Sequence, residues 1–162
     1  MIRLFHLSTR AAIVAASMLI CFAMAANAAM VEQTIKQMAD NSTDIVSARV
    51  VSVGSFWNED KTFIFTSVTL DVKSPIKGNL AATSQIEVLV PGGVVDGTGL
   101  RVEHAPEFET GQDVIAFLSP QPQNRYRVTA WEQGKFTVES GTVVKRNVSE
   151  AAFINEIKQA MK

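Results

Sequence analysis

The sequence predicts an all-β domain with flanking helices, a small antiparallel β-barrel carrying a short helix at each end. Three observations predict it. Several valine-rich segments alternate apolar and polar residues, as strands with one buried face do. Turn-forming residues separate these segments at short intervals, which favours a barrel or sandwich over βαβ units. Helical periodicity is confined to two stretches, one near each end of the body.

Residues 1–28 stand outside that body. Arg3 and Arg10 form a positive head, Ala11 to Ala25 an apolar run, and Ala26-Asn27-Ala28 the small residues of a cleavage site. This is the three-part secretory leader. The run has 15 residues, short of the roughly 20 that a spanning helix needs. The expectation is a signal peptide cleaved after Ala28, with no stable membrane anchor afterwards and a periplasmic or secreted destination. Cys21 lies within the run behind Ile20, where lipoprotein processing would want a small residue. Residues 29–162 then form a single domain without thiols. Disulfides, thiolate metal sites and cysteine nucleophiles are excluded from it. Without the leader, 13 basic residues face 16 acidic ones, a formal net charge of −3. That mild acidity argues against nucleic acid as a partner, since phosphate backbones call for a basic face.

The elements follow in order. Met30 to Asp40 reads as an amphipathic helix on Val31, Ile35 and Met38. Asp44 to Trp57 is a strand whose alternation slips at Val50-Val51, as a β-bulge requires. Asn58 to Lys61 is a polar turn. Thr62 to Ser74 is the clearest strand, with Ile64, Thr66, Val68, Leu70 and Val72 in phase. "PIKGNLAAT" reads as a loop and Gln85 to Val90 as a strand. Asp113 to Leu118 is almost continuously apolar, the mark of a central strand covered on both faces. "SPQPQN" turns the chain into a strand over Arg125 to Trp131. Ser140-Gly141 marks a tight hairpin within Lys135 to Arg146. Ser149 is placed to N-cap a last helix on Phe153, Ile157 and Met161.

Five segments occur in order: "ARVVSVGSFW", "FTSVTLDVKSPIKG", "VLVPGG", "APEFETGQDVIAFL" and "YRVTAWEQGKF". Together they resemble an uncharacterised family of secreted bacterial β-barrel proteins, over most of Ile45 to Lys145. Ala48 departs from the pattern, which prefers glycine there. A more distant, fold-level analogy is to netrin-like and tissue-inhibitor-of-metalloproteinase domains, which implies an OB-like barrel. Such analogy carries no function by itself. Those inhibitors act through an amino-terminal cysteine, which residues 29–162 lack.

The candidate chemistry is sparse. "PGGVVDGTGL" has glycines but no lysine, and nothing after it reads as a helix, so it turns the chain rather than cradling phosphate. Glu103, His104, Glu107 and Glu109, with Asp96 as a further candidate, offer nitrogen and oxygen donors, but a zinc site usually wants more than one histidine. No G-x-S-x-G accompanies His104, and the carboxylates have no recognisable pairing. Trp57 and Trp131 stand at strand ends, where they pack at the barrel rim or anchor a partner. The reading is an exported, non-catalytic binding module without a cofactor, whose partner is another exported protein or an extracellular polymer. Its candidate residues are Trp57, Pro91, Gly92, Gly93, His104 and Trp131, on the surface from Pro91 to Glu109. The alternatives are a metal-binding protein or metal-dependent enzyme centred on His104, and a loop-based protease inhibitor.

Overall fold

The computed structural model describes residues 31–162; the expected signal peptide and Cys21 lie outside them. A helix, α1 (Ile35–Asn41), precedes the strands. It starts later than its apolar spacing suggests because Thr34 caps it. The Thr34 hydroxyl accepts from Gln37 N, and the Gln37 side chain accepts from Thr34 N, a reciprocal capping box.

β1 (Asp44–Trp57) and β2 (Ile64–Lys77) form a long antiparallel pair. Val51 is the extra residue between the partnered Val50 and Ser52, as the slip in alternation predicts. Asn58 Oδ1 accepts from Thr62 N and Phe63 N and so closes the turn between the strands. β2 runs on through Pro75 to Lys77 instead of ending in a loop. Proline cannot donate to a ladder, and here it sits where the register with β1 shifts on both sides, at Ile45/Val46 and Ser47/Ala48.

β3 (Gln85–Pro91) pairs with β2, and a small hairpin follows, β4 (Gly93–Val95) with β5 (Thr98–Leu100). β6 (Asp113–Gln121) extends past Leu118 and pairs along one edge with β1. β7 (Arg125–Val128) and β8 (Lys135–Glu139) share its other edge, separated by a 3₁₀ turn over Trp131–Gly134. The predicted strand over Arg125 to Trp131 therefore stops at Val128. β3 meets β7 in parallel, which closes the ring β1-β2-β3-β7-β6-β1 into an OB-like barrel. All its other pairs are antiparallel.

Outside the ring, β9 (Thr142–Val143) pairs with β8 across Ser140-Gly141, and β10 (Val148–Ser149) leads into α2 (Glu150–Ala160). Ser149 caps α2 by accepting from Ala152 N.

The alternation of β6 decides where the core sits. Val114, Ala116 and Leu118 point into the barrel with Val46, Val68, Leu70 and Val88. Ile115 and Phe117 point outward, onto a second cluster with Met38, Phe136, Phe153 and Ile157. α1 and α2 thus cover one outer face of the barrel, and all these side chains are buried. Each such aliphatic or aromatic side chain is worth roughly 1.5–3 kcal/mol of burial. Among the described residues, no helix is long and apolar enough to cross a membrane.

Candidate functional site

The glycines after β3 build the hairpin. Asp96 (φ 50) and Gly97 (φ 79) form its tip, both in the left-handed region that a two-residue hairpin turn needs. At its base, Gly92 N donates to Ile64 O (2.8 Å) and the Thr66 hydroxyl donates to Gly92 O (2.7 Å). Gly92 has φ 93, and a Cβ there would stand 2.7 Å from Leu100 O. At Gly93 a Cβ would collide with the hydroxyls of Ser55 and Thr66. These glycines let the hairpin lie against the ends of β1 and β2, and the next regular element after the hairpin is the strand β6, not a helix.

Residues 101–112 return to the barrel as an irregular segment pinned at His104. Its Nδ1 lies 3.0 Å from Glu132 Oε1, and Glu132 N donates to His104 O at 3.0 Å. An ionised carboxylate only accepts, so Nδ1 carries the proton in this pair. The clasp ties the segment to the 3₁₀ turn, and Lys145 Nζ holds the same turn through Glu132 O (3.1 Å). Glu103 reaches His104 Nε2 only at 3.6 Å, with a side chain 90% exposed. Among the described residues, no three His, Cys, Asp or Glu side chains come together as a metal-holding group, so Glu107 completes none with Glu103 and His104.

Between the hairpin and this segment runs a groove of about 1380 Å³, lined by Gly92, Gly93, Val94, His104 and Glu107 among others. Lys135 also lines it, though only 8% exposed. Its ammonium donates to Thr137 Oγ1 (2.9 Å) and lies 5.3 Å from the centre of the Phe108 ring. Burial pushes its pKa below the usual lysine value, and the neighbouring Lys145 pushes the same way, against Glu109 and Glu107.

Pro91 faces both this groove and a second, smaller cleft of about 580 Å³, which Trp131 also lines. Trp57, half-buried at the end of β1, lines neither. The six candidate residues therefore divide. Pro91, Gly92, Gly93 and His104 share the groove, Trp131 belongs to the cleft, and Trp57 stands apart.

No family model matches this chain, and no curated protein aligns with it. The site's reading rests on its own geometry.

That geometry provides a concave surface with a fixed imidazole and a sequestered cation. Lys135 was missed in the sequence because strand alternation sets it opposite Phe136 and Val138, on a face that reads as solvent-facing. The Phe108 loop covers that face. Glu132 was missed because it lies 28 residues from His104 and carries no local signal. Arg127, on the second cleft, looks in the sequence like any polar residue of an edge strand.

Proposed function

We propose that this chain is an exported binding module, one that holds its ligand on the Pro91–Glu109 face and does no chemistry on it. The observation that carries this reading is the groove of about 1380 Å³ between the β4–β5 hairpin and the His104 segment. Small-molecule pockets commonly enclose roughly 300–1,000 Å³. An open trough above that range suits a stretch of polymer or polypeptide, hence another exported protein or an extracellular polymer. The double tie between His104 and Glu132 supports the reading by holding one wall in place, which lowers the ordering cost of association.

The test is affinity capture from the exported fraction, with mass spectrometry of what is retained and of the bait's own amino terminus. Wild type is compared with a variant in which Val94 to Leu100 is replaced by a short linker. The expected result is a bait that begins at Ala29 and a partner that the linker variant loses. A partner retained equally by both baits, or a bait still carrying Cys21, would overturn the proposal.

A further inference from the structure

The second cleft has a chemistry of its own. Part of its lining is apolar, made by Phe65, Leu89, Pro106 and the exposed Trp131. The rest includes polar residues, and three of their groups are unspent. Among the described residues, Gln33 Oε1 is buried without a hydrogen-bond partner. The Asn41 side chain makes no hydrogen bond, and the exposed Arg127 makes neither a hydrogen bond nor an ion pair, among the described residues. Among the described residues, Arg127 is also the only charged one lining the cleft. An orphaned buried acceptor costs about 1–3 kcal/mol, and an exposed guanidinium with no ion-pair partner is free to take an anionic group in charge-assisted hydrogen bonds.

The backbone holds Trp131 in this position at a cost. Ala130 (φ 59) and Trp131 (φ 56) are consecutive non-glycine residues in the left-handed region. Such residues cost of order 1 kcal/mol or more each and persist where the surroundings over-determine them. Here Thr129 N donates to Phe117 O, Gln133 N to Ala130 O and Glu132 N to His104 O.

We propose that this cleft binds an acidic sugar, with the pyranose ring of a hexuronate stacked on Trp131 and its carboxylate on Arg127. The volume of about 580 Å³ suits one or two such rings, within the roughly 300–1,000 Å³ of small-ligand sites. A pyranose has one flat apolar face and a rim of hydroxyls. That matches a lining that combines an aromatic ring with carboxamides, whose donors and acceptors both serve hydroxyl groups. A fatty acid would leave the carboxamides unpaired, and a neutral sugar would leave Arg127 without a counter-charge. The inference is independent of the groove reading, because Arg127 and Trp131 do not line the groove.

The experiment titrates the purified chain with glucuronate, digalacturonate, the methyl ester of digalacturonate and a neutral disaccharide. A Trp57→Phe background makes Trp131 the reporting fluorophore. The expected result is saturable binding of digalacturonate, weakened about tenfold or more by esterification, as loss of a charge-assisted pair requires. Arg127→Gln should weaken it equally while leaving the melting temperature unchanged, since that side chain is exposed and unpaired. The linker variant of Val94 to Leu100 should bind the sugar as wild type does. Equal affinity for acid and ester, an unaffected Arg127→Gln, or no saturation by either uronate up to about 10 mM would overturn the proposal.

Discussion

Gly134 offers the sharpest check on how β7 and β8 share the edge of β6. It is buried at the end of the 3₁₀ turn. A Cβ there would fall inside the Thr129 carbonyl oxygen and 3.0 Å from both the Thr129 carbonyl carbon and Val128 Cγ1. Two of these three atoms are backbone, so no side chain can swing aside. Accommodating alanine means moving the β7 end by about 1 Å, and forced rearrangements in packed regions cost roughly 1–3 kcal/mol, occasionally more. The contact is tighter than most overpacked sites, so we take about 3 kcal/mol for Gly134→Ala. Near the melting point each kcal/mol shifts a domain of this size by roughly 3–6 °C, which gives a fall of about 9–18 °C. Gly54→Ala is the control, because its added methyl has no atom within 4 Å and its φ is ordinary. It should stay near wild type or gain a few tenths of a kcal/mol through the unfolded chain. Thermal melts followed by circular dichroism compare the two. If they agree within about 2 °C, close backbone approach is not why glycine stands at 134.

Two further outcomes follow from the packing and from Lys135. Phe153→Ala removes the ring that lies 4.6 Å from Phe136 at the centre of the outer cluster. It should cost about 3–5 kcal/mol, read as a lower urea midpoint at unchanged slope. The pH dependence of Lys135→Met tests the buried cation, because the lost Thr137 hydrogen bond and Phe108 contact add an offset of their own. The fold lowers this pKa from 10.5, so between the folded value and 10.5 the unfolded chain holds more protons. Wild-type stability therefore rises with pH across that window, and the penalty is full below it. Methionine removes the titration. The variant's gain over wild type should be largest near neutrality and shrink as the pH climbs towards 10.5. Denaturation at a series of pH values measures it, and a difference independent of pH would contradict the assignment.

Much of the barrel could be read from the chain because it is written in local terms. Val51 breaks an alternation that is otherwise regular, Ser149 stands one residue before a helical period, and Ser140-Gly141 interrupts two β-prone runs. Each signal acts over a few residues. The misreadings have local causes too. Thr34 and Gln37 spell a capping box, and taking Val31 into the apolar stripe hid it. Pro75 looked like the end of a strand, and a shifting register carried it through. Asp96-Gly97 is a strong hairpin dipeptide, but the four glycines of that stretch make the whole of it read as one irregular turn. What was not legible depends on the ring closing. His104 meets Glu132 and Phe108 covers Lys135 only once the strands have closed.

Strand β6 carries one last consequence. Its odd and even side chains serve different interiors, Val114, Ala116 and Leu118 on one side and Ile115 and Phe117 on the other. Neither the helical layer nor the ring of strands can come undone while leaving the other intact, because both are anchored on the same five consecutive residues. The protein should therefore melt in a single step, with the amides of 114–118 among the slowest in the molecule to exchange with deuterium.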